Sequence, residues 1–513
     1  MRKTPAAGDV GHSTKLLYGF GSIAYGAKSQ LMGLLLLFYN QLIGLPAQWV
    51  SLALAISIAV DAFWDPMIGQ YSDSLRTRWG RRHPLMYASA IPLAVSFVML
   101  FNPPRDWSDP ALFAYLLVLI MTVRLAISFY EIPSSALAPE LAPNYHDRTS
   151  LLSYRWLFGT VGSAAAAILA YAVFLRGTKA QPMGQLNVDG YLPYALTVAA
   201  IMVVSIIAST AGTHRHIPKL HQPVQRKIGF VDLLKEVRAT LSNWNFGVAV
   251  VAGIFSGVSM GLMSGLYIYF ATYFWELPSS SLLILMMGAL ISSPLAAVLA
   301  PWLSKRWGKK RACMSLFFAA VFFNSAPILG RLMGVMPENG TDLLLGILLA
   351  DRLVTGVFST GGFILVSSMF ADIVEESQVK TGRRSEGLLM SADNLLQKVV
   401  TGLATVLPGL MLAFVAFPDK ARPGAVDPAI LNQLALIYLP ATALMSLASI
   451  FTWRFYRIDA EAHEHALVSL REAAANAEAA RETSGLDMAP PDSPAPVPPP
   501  GLITGRLAPG EAQ

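Results

Sequence analysis

The chain has 513 residues, 54% of them hydrophobic and only 14% charged, with a mean hydropathy of +0.50. Soluble chains carry about 25% charged residues, so this composition describes an integral membrane protein. The net charge of +6 does not point to nucleic acid, because the basic residues sit in short loops between apolar runs; the single cysteine, Cys313, excludes an internal disulfide framework.

Residues 1–15 are polar and lead into an apolar run too long for the core of a cleavable signal, so they read as a tail that stays on the chain. A bilayer-crossing helix needs about 20 mostly apolar residues. On that measure, spans are expected near 16–43, 49–68, 85–102, 111–136, 154–175 and 191–212, a six-helix bundle covering 16–212. A polar central loop, 213–245, follows. Spans near 246–275, 279–303, 312–335, 342–370, 387–417 and 431–453 then make a second bundle, 246–453. The tail, 454–513, reads first as helix, from its Ala, Glu and Leu content, and then as disordered at PPDSPAPVPPP. The expected fold is all-α, with twelve transmembrane helices.

The positive charges orient these spans. RTRWGRRH (76–83), HRHIPKLHQPVQRK (214–227), SKRWGKKR (304–311) and KTGRRSEG (380–387) fall on one face, whereas GLPAQW (44–49) and ELPSSS (276–281) opposite them carry no Lys or Arg. The basic face, with both termini, is expected in the cytoplasm of a cell whose plasma membrane (a bacterial inner membrane) holds the protein.

The chain also repeats itself. Arg78-Trp79-Gly80 recurs as Arg306-Trp307-Gly308, Arg124-Leu125 as Arg352-Leu353 and Pro66 as Pro294, each displaced by 228 residues. Two parallel six-helix halves with a site between them form a transporter plan. The repeated prolines read as architectural, a break near a helix end. The repeated Arg124 and Arg352 read as charges that pin half to half.

One feature is not repeated. VDAFWDPMIG (60–69) places Asp61 and Asp65 one helical turn apart in a buried span, while the position matching Asp61 is Ala289. Two charged carboxylates at membrane depth need a proton, a cation or a basic neighbour. A Na⁺ would take oxygen from both Asp residues and a hydroxyl such as that of Ser128; the alternative is a structural ion pair. Other intramembrane charges are Lys28, Glu131, Asp351, Asp393 and Lys398, with Arg155 near one end of its span. The loop GQYSDSLRTRWGRR (69–82) resembles the GxxxD…GRR loop of the major facilitator superfamily, which implies that Asp73 with Arg78, Arg81 and Arg82 latches helix ends on the basic face, where Arg383 and Arg384 also fall.

YGFG (18–21), DAFWDP (61–66), RTRWG (76–80), EIP (131–133) and ADIVEESQVKTGRRSEG (371–387) together resemble the glycoside–pentoside–hexuronide:cation symporter family of the major facilitator superfamily. The resemblance implies a cation site at Asp61, Asp65, Ser128 and Lys398, and a sugar site at Glu131 and Arg155 with Phe363 as its aromatic face. Three positions depart from the family pattern. Trp64 replaces an Asn beside the second Asp, Ser135 replaces a Trp, and the family's sugar-gripping helix-1 aspartate falls at Gly26, between Tyr25 and Lys28. A cationic Lys28 suits an acidic sugar such as a uronate.

The expected function is therefore symport of Na⁺ or H⁺ with a sugar or sugar acid, by a monomer in a lipid bilayer, with no cofactor besides the coupling ion. A carrier of lipid-like amphiphiles and a non-transporting receptor are the alternatives. A membrane enzyme is not expected, since no HExxH, P-loop or GxGD motif occurs.

Overall fold

The computed structural model describes residues 10–142, 145–178, 181–219, 243–381 and 386–458. Its first span is two helices, α1 (His12–Phe20) and α2 (Ser22–Leu37), joined at Gly21 and continued by a π-helical turn, Phe38–Ile43. A Cβ at Gly21 would fall 1.7 Å from Tyr130 Oη, so glycine is required where the chain changes helix. The N-terminal half continues with α3 (Ala47–Ser74), α4 (His83–Leu100), α5 (Asp109–Leu141), α6 (Tyr145–Ile168) and α7 (Tyr191–His214). The C-terminal half holds α8 (Trp244–Tyr269), α9 (Ser279–Trp307), α10 (Lys309–Leu332), α11 (Asp342–Thr381), α12 (Glu386–Phe414) and α13 (Pro428–Trp453).

Eleven helices among the described residues are long and apolar enough to cross a bilayer. The α1–α2 pair, which reaches that length only as a unit, is the twelfth expected span. Phe63, Trp156, Val298 and Phe414 are each at least 70% exposed, which fits a hydrocarbon solvent rather than water. The expected central loop and tail lie largely outside the described residues, at 220–242 and 459–513.

Several helices run past their expected ends. The second, fourth and tenth spans reach Ser74, Leu141 and Thr381 instead of 68, 136 and 370. The stretches beyond those expected limits carry Asp73, Glu140 and Asp372, so hydropathy falls before helicity does. The proline expectation is corrected as well. Pro66 and Pro294 lie inside α3 and α9, which continue beyond them to Ser74 and Trp307. Helices packed in a membrane bundle tolerate the missing N–H where neighbours satisfy the freed carbonyl.

Small residues set the closest helix approaches. A Cβ at Gly26 of α2 would sit 1.9 Å from the carbonyl oxygen of Gly159 on α6, and one at Gly162 would sit 2.4 Å from Ile23 O. Between the halves, a Cβ at Gly409 of α12 would lie 2.5 Å from Ala47 O of α3. The α3–α12 contact therefore carries Asp61 and Asp65 directly against Lys398.

At the end opposite the basic loops the two halves share one core, in which Phe38, Phe101 and Tyr191 join Tyr269, Tyr273 and Phe417. Polar side chains bond across it. Asn40 Nδ2 donates to Asp419 Oδ1 (2.6 Å), and Tyr269 Oη donates to Asn40 Oδ1 (2.8 Å). Tyr273 Oη donates to Gln41 Oε1 (3.1 Å), while Gln185 Nε2 donates to Thr272 Oγ1 and Leu277 O (both 3.1 Å). The repeat shows here too: matching π turns, Phe38–Ile43 and Phe270–Phe274, lead to positive-φ residues Gly44 and Glu276 and then to Leu-Pro.

Candidate functional site

α3 places Asp61 and Asp65 on one face, as their four-residue spacing requires. Asp61 is 8% exposed. Ser128 Oγ of α5 donates to its Oδ1 (3.2 Å), and Lys398 Nζ of α12 donates to its Oδ2 (3.1 Å). Arg124 Nη1 of α5 lies 3.5 Å from the same Oδ2. Lys398 also donates to Asp65 Oδ2. Asp65 Oδ1 is buried with no hydrogen-bond partner. All four residues of the expected cation site are thus one cluster, to which Arg124 is added. Its identified partner Asp61 lies in its own half, so that contact does not pin half to half.

The cluster is electrically balanced, with two carboxylates against an ammonium and a guanidinium. A buried group of this kind is stable only while every charge keeps a partner. The five side-chain oxygens of Asp61, Asp65 and Ser128 suit a hard cation, and Asp65 Oδ1 is the one still unbonded. Adding a cation while Lys398 remains would leave one positive charge uncompensated, so the ammonium and an incoming ion compete for the same oxygens. A proton on either carboxylate would loosen Lys398 by the same arithmetic.

The second cluster gathers around Arg155 of α6. Its guanidinium pairs with Glu131 Oε1 and donates to Glu131 O (3.3 Å), Tyr18 Oη (3.2 Å) and Ser134 Oγ (3.1 Å). Glu131 Oε2 is buried without a partner, an acceptor available to a hydroxyl. Lys28 Nζ stands 5.0 Å above the ring of Tyr25, which is 44% exposed. Gly26, where the family has its aspartate, abuts α6 so closely that no side chain fits. Phe363 lies apart from Arg155's partners, its ring 5.3 Å from Phe317 on the wall of a cavity in the C-terminal half.

On the basic face, Arg82 Nη2 bonds Asp73 Oδ1 (3.1 Å) and Glu140 Oε1 (2.5 Å), and Arg81 Nη2 bonds the same Glu140 oxygen (2.8 Å). These contacts tie the ends of α3, α4 and α5 within one half. Arg78 stacks its guanidinium 5.9 Å over Trp79, and Arg383 and Arg384 lie outside the described residues. The sequence reading missed Tyr18, Ser134, Glu140 and the Asn40–Gln41–Gln185 group. Tyr18 stands within the YGFG motif, which is the signal that marked it.

The chain is 26% identical to the isoprimeverose transporter of Lactiplantibacillus pentosus, over 83% of this chain and 84% of that one. It is 23% identical to the raffinose carrier protein of Pediococcus pentosaceus, over 86% and 69%. The crystal structure of a D-xylose-proton symporter superposes with a TM-score of 0.58 at 14% identity, covering 87% of this chain and 98% of the other, which shows a shared fold. The family model described as MFS/sugar transport protein matches residues 17–460. The chain is therefore a multi-pass membrane transporter and not an enzyme, and it belongs to the MFS/sugar transport protein family, as a glycoside–pentoside–hexuronide-type symporter.

Proposed function

We propose that this transporter couples Na⁺ or H⁺ entry at Asp61 and Asp65 to uptake of a sugar or sugar acid, by alternating access of its two halves. The observation that carries this reading is Lys398, from one half, bonded to both carboxylates of the other. An ion that replaces the ammonium changes the tie between the halves, which makes ion binding and rocking one event. With the basic face in the cytoplasm, the joined end faces outward, and the molecule stands in an inward-facing state.

Glu131 and Arg155 supply the paired acceptor and donor that a sugar's hydroxyl groups need, and Tyr25 supplies an aromatic face. Lys28 favours a carboxylate on the solute. The names of the isoprimeverose and raffinose relatives support a glycoside as cargo. The test is uptake by proteoliposomes of isoprimeverose, raffinose, lactose, D-xylose and glucuronate, under an imposed sodium or pH gradient. Accumulation above the outside concentration, driven by one of the gradients, is the expected result. Equilibration without accumulation in every arm would contradict symport.

A further inference from the structure

The C-terminal half contains a cavity of about 570 Å³ that reaches α2 at Ser29, Gln30 and Gly33. That volume lies within the range of about 300–1,000 Å³ usual for small-molecule sites. Ser29 is one turn along α2 from Tyr25, to whose carbonyl its hydroxyl donates (3.1 Å), so one helix serves both the cavity and the Tyr25 proposed for the sugar.

Asp351 and Arg352 are the only acidic or basic side chains among the described residues that line it. Thr355 Oγ1 donates to Asp351 Oδ1 at 3.4 Å, and the Arg352 guanidinium lies 5.2 Å over the ring of Tyr267. Among the described residues no ion pair holds either charge. The repeat accounts for this. Arg124, the counterpart of Arg352, has Asp61 3.5 Å away, whereas the position matching Asp61 is Ala289. The C-terminal half has kept the arginine and not the carboxylate. A guanidinium at membrane depth that no salt bridge holds is expensive and is a mark of function.

The chemistry of the walls selects a ligand class. One negative and one positive charge leave the walls without net charge, so they do not select an anionic solute over a neutral one. Asp351 accepts hydroxyl protons, Arg352 donates, Asn324 does both, and Tyr267 and Tyr438 offer flat faces. That combination fits a neutral polyhydroxylated ring.

We infer that this cavity is a second glycosyl subsite, which holds the sugar ring adjacent to the one bound at Glu131 and Arg155. The subsite presupposes sugar transport and adds that the preferred cargo has more than one ring.

Uptake of D-xylose, lactose and raffinose by proteoliposomes of the full chain tests it, in wild type, Arg352→Gln, Asp351→Asn and Asn324→Ala. The expected result is a KM for lactose and raffinose raised about tenfold or more by either charge substitution, roughly 1.4 kcal/mol of lost binding. The KM for D-xylose should stay within about twofold, and Asn324→Ala should show the same pattern more weakly. D-xylose uptake reports folding in each variant; if both charge variants lose it, Asn324→Ala decides. A wild type that carries D-xylose but neither longer sugar, or variants that change all three KM values alike or not at all, would overturn the subsite while leaving symport intact. A wild type with no gradient-driven uptake of any sugar would overturn the sugar reading itself, and the subsite with it.

Discussion

Gly26 shows how one missing side chain shapes the site. The family's helix-1 aspartate has no room here, because the Cβ position already meets the Gly159 carbonyl at 1.9 Å. Gly26→Asp should therefore not restore a galactoside grip. Overpacking a fitted interior costs about 1–3 kcal/mol, so both Gly26→Ala and Gly26→Asp should lower the unfolding temperature of the detergent-solubilised protein. Unchanged stability would mean that α2 and α6 stand further apart. Arg155 is the opposite case, a side chain with four bonds and no substitute. Arg155→Gln should weaken substrate binding at least tenfold in equilibrium binding to proteoliposomes, since it strips both Glu131 and Tyr18 of their charged donor. Wild-type affinity in that variant would remove Arg155 from the site.

Helix by helix, the elements differ in how plainly the sequence announces them. Twelve spans follow from hydropathy, and Asp61, Asp65, Ser128 and Lys398 are brought together as the motifs imply. What composition does not mark is which helix ends carry charge into partners, so α3, α5 and α11 outrun their expected limits and Glu140 goes unseen. Nor does a period of 228 residues reveal that Arg352 lines a cavity while Arg124 lies 3.5 Å from Asp61. The π turns likewise leave no periodic signal, yet they aim Asn40 and Gln41 across the interface. Removing a buried partner leaves a desolvated group costing about 1–3 kcal/mol, so Gln185→Ala should shift the protein toward the state open at that end. Faster labelling by a membrane-impermeant thiol reagent of a cysteine placed at position 42, in the same π turn but outside those bonds, would register the shift against the same reporter with Gln185 intact. An unchanged labelling rate would show that the aromatic core alone keeps this end shut.

For the whole molecule, the function proposed above links ion and rocking through a single exchange: Lys398 of one half, bonded to the two carboxylates of the other, would give way to an incoming cation. The balanced charge of the cluster makes the two occupants mutually exclusive, and the close α3–α12 packing makes the exchange felt by both halves. The Asn40, Gln41 and Gln185 bonds hold the far end shut in this conformation. The most direct measurement is gradient-driven sugar accumulation in proteoliposomes, wild type against Asp65→Asn, with downhill counterflow as the control. The account predicts that the variant still exchanges sugar across the membrane but fails to concentrate it. Accumulation equal to wild type in Asp65→Asn would contradict it.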